Sequence, residues 1–148
     1  MIKLKEVRTG SNRKKDLAYN IAVKFRNEME KKWKWKDDRG CFKGTCHSIS
    51  EKLANLLNKN GIYAYREHGE YFGANDKYYP DTSDWNDDDK DEYYDTWEVT
   101  GGEGMSYFHW WTVVENKWIL DITADQFHPG EEKNYRVVMV NKGDKDYA

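Results

Sequence analysis

Two apolar segments separated by three residues restrict the fold of this chain more than any other feature. Residues 108 to 114 and 118 to 123 are rich in β-branched and aromatic side chains, which favour strands. The polar residues 115 to 117 lie between them and predict the turn of a β-hairpin. With a three-residue loop, Val114 lies directly opposite Trp118, and this pairing sets the register of the whole hairpin.

The register decides which side chains share a face. His109 lies opposite Thr123 and Asp121 lies opposite Trp111, so His109 and Asp121 are diagonal neighbours on one face. An even-numbered loop without a bulge would send them to opposite faces. The other face collects a mostly apolar set that suits a protein core: Trp110, Thr112, Val114, Trp118, Leu120 and Ile122.

Two amphipathic helices are predicted before the hairpin. From Asp16 onward, apolar residues recur every four positions and form one stripe on a helix that is otherwise charged: Leu17, Ile21, Phe25, Met29 and Trp33. A second helix begins between Thr45 and Ser48, ends at Gly61, and buries one face made of Ile49, Leu53, Leu56 and Leu57. Cys46 lies at or just before its first turn.

The remaining pattern predicts an α+β fold. Short strands are expected at 62–66, 69–73 and 135–140, with an edge strand in the first eight residues. Residues 74–103 carry no sustained period and are interpreted as a long acidic, aromatic insertion. Helices followed by strands favour an antiparallel sheet packed against N-terminal helices, and the length of 148 residues fits a single domain over 1–148.

Charge is segregated along the chain. Residues 1–36 carry about 12 Lys and Arg against about 4 acidic residues, while 74–103 carry about 11 acidic residues against about 2 Lys. Attraction between the two regions within one domain explains this without a partner. The alternative is that the acidic insertion recognises a basic substrate or a basic partner surface.

Targeting signals are not recognised in the sequence. The opening MIKLKEVRTG lacks the apolar core of a secretory signal, and no apolar run approaches the roughly 20 residues that a membrane helix needs. Cys41 and Cys46 are too few for a disulfide framework. We therefore expect a cytoplasmic protein without membrane contact, in which each thiol needs its own explanation.

Cys46 has the placement that a nucleophile requires. A free cysteine thiol has a pKa of about 8.5, and the field of a helix N-terminus stabilises the thiolate. Asp121 can hold one nitrogen of His109 by accepting a hydrogen bond, which leaves the other nitrogen to take the Cys46 proton. The alternatives are a small buried cysteine, a structural histidine and a capping carboxylate, and only the combination of the three points to catalysis.

The residues resemble a known family. The order of G-T-C-H-S at 44–48, H-W-W-T-V-V at 109–114 and W-I-L-D-I-T-A-D-Q-F at 118–127 is similar to that of transglutaminase-like and papain-like cysteine hydrolases, over about residues 40–128. The D-I-T-A-D-Q-F segment resembles bacterial or phage members. The resemblance implies a catalytic triad of Cys46, His109 and Asp121 that acts on a protein or peptide amide without a cofactor.

Other roles within the resemblance are expectations of the same kind. Trp97, Tyr107 and Trp111 are expected to bind substrate, and Gln126 and Thr123 to be structural, with the Gln126 amide tying a turn. Papain-like enzymes often place a glutamine before the cysteine to complete the oxyanion hole. This chain has no glutamine before Gln126, so the candidate substitutes are the Cys46 backbone N–H together with a tryptophan or an asparagine from the first helix region, such as Trp35.

Competing interpretations involve ligands or a partner. A zinc site at Cys41, Cys46 and His47 with His109 lacks the usual ligand spacing, so no metal is expected, and Cys41 is better explained as a structural or redox neighbour of Cys46. A calcium loop starting at Asp84 lacks the required glycine, and the acidic balance argues against nucleic acid. The alternative function is an idle binding or inhibitor protein, of phage type, that presents the acidic loop to a basic partner.

Overall fold

The computed structural model describes residues 10–32, 46–80, 85–100 and 105–148 of the protein. Within these ranges the elements, in chain order, are helices α1 (Gly10–Lys32) and α2 (Cys46–Lys59), strand β1 (Ala64–Tyr71), helix α3 (Asp87–Thr100), and strands β2 (Tyr107–Val114), β3 (Trp118–Asp121) and β4 (Val138–Asn141). Two 3-10 turns, Ala124–Phe127 and Glu132–Tyr135, connect β3 to β4. The α+β class is confirmed. Four features expected from the sequence lie outside the described residues: the edge strand at 1–8, Trp33, Trp35 and Cys41.

The four strands form one antiparallel sheet in the order β1-β2-β3-β4. β1 pairs with β2 along its full length, from Ala64 opposite Val114 to Tyr71 opposite Tyr107. The two short strands expected at 62–66 and 69–73 are therefore wrong, because one continuous strand passes through Gly69 without a break. The last strand begins later than expected because the chain first forms a 3-10 turn.

The hairpin register predicted from the sequence is confirmed. Val114 lies opposite Trp118 and Thr112 lies opposite Leu120, with the loop at 115 to 117 between the strands. Glu115 and Asn116 take up the reversal with positive φ angles of 53° and 56°. The hairpin therefore has the odd-numbered loop that places His109 and Asp121 on one face.

The helices pack on one face of the sheet and form the helix-side core. Leu53 and Leu57 of α2 are completely buried there, against strand residues such as Val114 and Leu120. On α1 the buried positions are Ala18, Ala22 and Arg26, whereas Leu17 is 46% exposed. The stripe expected on α1 is confirmed in part, since Ile21, Phe25 and Met29 are partly buried against this core beside the two alanines.

The face that carries His109 is covered as well. A second group of buried side chains, the opposite-face core, consists of Tyr71, Trp111, Val113, Ile119, Phe127 and Tyr147. The sequence assigned the core to the other face of the hairpin, so this second layer was missed. Both faces are therefore covered from Trp111 to Val114 on β2 and along β3, whereas Phe108 at the start of β2 is 75% exposed.

The acidic insertion contains a helix that the sequence did not predict. Asn86 caps α3, since its Oδ1 accepts a hydrogen bond from Asp89 N at 2.8 Å. Three aspartates, residues 87 to 89, occupy the first turn, where the helix dipole favours negative charge. Tyr93 is the buried residue of this helix. None of the helices in the described ranges is long and apolar enough to cross a bilayer.

Candidate active site

Cys46 is the first residue of α2 and carries a free, partly buried thiol. The first turn of this helix contains no acidic side chain, and Lys59 lies in its last turn. The first N–H groups of a helix have no partner within the helix, and together with the helix dipole they create positive potential. An anion at the position of the Cys46 sulfur is therefore stabilised by the backbone itself.

Two buried hydroxyl groups attach the start of α2 to the strand that carries His109. Ser50 Oγ donates a hydrogen bond to the Cys46 carbonyl oxygen at 2.6 Å. Thr112 Oγ1, on β2, donates to the Ser50 carbonyl oxygen at 2.9 Å. Since Ser50 and Thr112 are both buried, these hydrogen bonds fix the position of Cys46 relative to β2. Thr112 was expected on the core-facing side of the hairpin, but its contact with α2 and the role of Ser50 were not expected, although a threonine on an apolar strand face is a recognisable signal.

His109 and Asp121 form a buried hydrogen-bonded pair. His109 Nε2 donates to Asp121 Oδ2 at 2.7 Å, and the two side chains are 0% and 1% exposed. The donor assignment follows from chemistry, because an ionised carboxylate can only accept. This is the diagonal contact across β2 and β3 that the register predicts.

The Asp121 carboxylate is held by three other donors. Its Oδ1 accepts from Thr123 N at 2.9 Å and from Thr123 Oγ1 at 3.2 Å. Its Oδ2 accepts from Tyr147 Oη at 2.8 Å in addition to His109. Burial raises the pKa of Asp121, but the charge of His109 and these hydrogen bonds outweigh it, so the pKa is lowered. Asp121 therefore remains a carboxylate with a fixed orientation.

The imidazole of His109 is held in its charged form. Burial alone lowers the pKa of His109, but the charge of Asp121, its hydrogen bond, and the side chain of Cys46 raise it to about 9. Nδ1 is buried and makes no hydrogen bond of ordinary geometry within the described residues. Because Nε2 is occupied by Asp121, Nδ1 is the nitrogen that remains for proton exchange.

The aromatic residues expected to bind substrate lie in different environments. Trp111 is 2% exposed, packs in the opposite-face core and donates from Nε1 to Glu67 Oε2 at 3.1 Å. Trp111 is a core residue and not the substrate-facing residue expected, because Tyr147 packs against its ring. Tyr107 is half-buried with its hydroxyl 3.0 Å from that of Tyr93, and Trp97 stacks on Tyr79.

The motif after Asp121 makes structural contacts. Gln126 Nε2 donates to the Thr123 carbonyl oxygen at 2.9 Å, which is the turn-tying contact expected of its amide. Asp125 forms a buried ion pair with Arg26 of α1, with Oδ2 2.7 Å from Nη2. Arg26 also donates to the Ile122 carbonyl oxygen at 2.6 Å. These bonds fasten the turn that follows Asp121 to the first helix, a long-range contact that no local sequence pattern reveals.

The described ranges contain a cleft apart from these residues but no group of side chains suited to a metal ion. Over the described ranges, no three His, Cys, Asp or Glu side chains are grouped as a metal ion would require. A surface cleft of about 590 Å³ lies between α1 and β4 and is lined by Lys15, Asp16, Tyr19, Asn20, Val137 and Met139. It contains none of the three candidate catalytic residues.

No protein-family model, curated protein or solved structure matches this chain. The function is therefore inferred from Cys46, His109 and Asp121 and from the chemistry of their surroundings.

Proposed function

We propose that the protein is a cysteine-dependent acyl-transfer enzyme with a transglutaminase-like or papain-like catalytic centre. Cys46 is the nucleophile, His109 the acid and base, and Asp121 the residue that orients His109. The observation that carries the proposal is the buried His109–Asp121 hydrogen bond of 2.7 Å, combined with the influence of Cys46 on the same imidazole. A histidine held between a carboxylate and a thiol at a helix N-terminus is the arrangement that activates a cysteine.

The reaction proceeds through a thioester. The Cys46 thiolate attacks the carbonyl carbon of an amide, a C–S bond forms, and the carbonyl electron pair moves to oxygen. The C–N bond then breaks while the His109 imidazolium gives its Nδ1 proton to the leaving nitrogen. Water next attacks the thioester and gives a proton to Nδ1, and the C–S bond breaks to release the acid and the thiolate. An amine in place of water yields a new amide.

The start of α2 supports oxyanion stabilisation. The backbone N–H of Cys46 belongs to the first turn of α2, where the N–H groups have no partner within the helix. A donor at this position is close to the carbon that the sulfur attacks. The second donor suggested by the sequence, Trp35, lies outside the described residues.

A protein or peptide substrate is proposed because α3 lies in the segment that leads into β2. This helix exposes most of its acidic side chains to solvent, and its buried Tyr93 contacts Tyr107 at the start of β2, two residues before His109. Acidic side chains near the site favour a substrate with basic residues. Trp97 and Tyr107 are the aromatic residues of this region that we propose to contact it.

Alkylation of the cysteines tests the proposal. Iodoacetamide is added at pH 6 to the wild-type protein, and labelling at Cys46 and Cys41 is followed by peptide mass mapping. We expect Cys46 to react at least about tenfold faster than Cys41, because thiolates and not thiols are alkylated. His109→Ala should remove the excess rate. His68→Ala is the matched control, since His68 is an exposed histidine on β1 and should leave the rate unchanged.

Equal, slow labelling of both cysteines that is insensitive to His109→Ala would overturn the proposal. Cys46→Ala should in addition abolish any thioester adduct captured from a cell lysate on the wild-type chain. The mass of such an adduct would identify the acyl group.

One observation supports a second function. The exposed acidic side chains of α3 include Asp87, Asp88, Asp89, Asp91, Glu92, Asp95 and Glu98. A catalytically idle protein that presents this helix to a basic partner surface would use the same feature without the thiol. Slow, His109-independent alkylation of Cys46 is the result that would favour this alternative.

A further inference from the structure

Tyr147 is a buried phenol that reaches the Asp121 carboxylate. Its hydroxyl donates to Asp121 Oδ2 at 2.8 Å, the same oxygen that accepts from His109 Nε2 at 2.7 Å. The side chain is 6% exposed and packs against Trp111 and Tyr71, with ring centroids 5.0 Å apart in both cases. Tyr147 thus links the segment after β4 to the candidate active site.

The segment around Tyr147 is attached to the edge of β1 that faces away from β2. The Ala148 N–H donates to the Glu70 carbonyl oxygen at 3.0 Å, and the Glu70 N–H donates back to the Ala148 carbonyl oxygen at 3.2 Å. Tyr71 and Tyr147 form an antiparallel bridge. Gly69 leaves room for this pairing, since a Cβ there would lie 2.5 Å from the Ala148 carbonyl oxygen. The phenol is thus held by backbone pairing and not by its own hydrogen bond alone.

The phenol affects the imidazole through the carboxylate. A hydrogen bond donated to Oδ2 stabilises negative charge on that oxygen and weakens its attraction for the His109 proton. With Thr123 bound to Oδ1, the carboxylate is held from both sides and cannot rotate away from His109. Burial and the charge of Asp121 raise the pKa of Tyr147, so the phenol keeps the proton that it donates.

We infer that Tyr147 is a positioning residue of the proposed site, which fixes the orientation and basicity of Asp121 and through it the charge state of His109. The inference rests on the proposed function for its meaning in catalysis. The effect on His109 can be measured whether or not the protein is an enzyme.

The test compares Tyr147→Phe with Tyr71→Phe. Both changes remove a buried hydroxyl from the same aromatic cluster, but Tyr71 Oη contacts His128 Nε2 at 2.6 Å and not Asp121. The pKa of His109 is measured by NMR titration of its imidazole. We expect Tyr147→Phe to raise this pKa by at least about half a unit, because Asp121 loses a competing donor. Tyr71→Phe should leave it within about a fifth of a unit.

A second variant at position 147 preserves the fold and should shift the pKa of His109 in the opposite direction. Site-specific 3-fluorotyrosine at position 147 keeps the ring and makes the phenol a stronger donor, so the pKa of His109 should fall. A merely structural tyrosine would not give opposite shifts for the two replacements. An unchanged His109 titration in both Tyr147 variants would overturn the inference, whereas slow, His109-independent alkylation of Cys46 would overturn only the proposed enzyme.

Discussion

His109→Asn should lower the free energy of unfolding at low pH and have a smaller effect as the pH rises. The folded pKa of His109, about 9, lies above its ordinary value of 6.5. The folded state therefore binds the imidazole proton more tightly than the unfolded chain does. The resulting stabilisation is fully present below pH 6.5 and is lost as the pH rises through 9.

The size of this contribution follows from the two values. Each unit of pKa difference corresponds to about 1.4 kcal/mol, so the difference between 6.5 and 9 amounts to about 3 kcal/mol at pH 6. At pH 9 less than about half a kcal/mol is left. In the wild type, the lowered pKa of Asp121 adds stability that is lost only as the pH falls below the range of an ordinary carboxylate, outside this window.

Urea unfolding at pH 6, 7.5 and 9 measures the effect. The difference in unfolding free energy between wild type and His109→Asn should shrink by about 3 kcal/mol from pH 6 to pH 9. His68→Asn is the control, because this exposed histidine of β1 is outside the pair and should show no such trend. A wild-type advantage that stays constant or grows with pH would refute the charged, carboxylate-bound state of His109.

Three further changes test the packing around the site. Leu53→Ala should cost about 2 to 5 kcal/mol in urea unfolding because Leu53 is completely buried, while Leu17→Ala on exposed α1 surface should cost under about 1 kcal/mol. Asp125→Asn should cost about 1.5 to 3 kcal/mol, since it removes the buried carboxylate that pairs with Arg26 and leaves Glu30, whose Oε1 is 3.0 Å from Nε, to balance that charge, and a cost near zero would show that the pair is unimportant. Thr112→Val should slow the alkylation of Cys46 while costing only about 1 kcal/mol of stability, and an unchanged rate would show that the connection to α2 does not position the thiol.

The hairpin could be derived from the sequence because its register depends only on local information. The length of the loop at 115 to 117 determines which residues face each other, and the observed pairing of Val114 with Trp118 follows from it. The contact between His109 and Asp121 is a consequence of that count. Local rules suffice here because both residues belong to one hairpin.

Other features depend on contacts that are distant in sequence. The break expected near Gly69 is absent because the glycine makes room for Ala148 and does not end the strand. The ion pair of Arg26 with Asp125 joins residues far apart in the chain. Neither contact has a local pattern that would reveal it.

Helix α3 was missed for a different reason. Its residues lack apolar periodicity because Tyr93 is its buried residue, so a search for an amphipathic stripe fails. A capping signal was nevertheless present in the sequence, since Asn86 is followed by three aspartates. Capping and dipole effects are the information that an analysis of periodicity leaves out.

The enclosure of the hairpin on both faces has a consequence for how such a protein can change. Mutations near His109 and Asp121 alter the packing of two layers at once, so these strands tolerate little variation without loss of folding. Helix α3 exposes most of its surface and contributes Tyr93 to the buried set. New partner or substrate preferences are therefore most readily selected by exchanging side chains on that helix, while the reaction centre stays as it is.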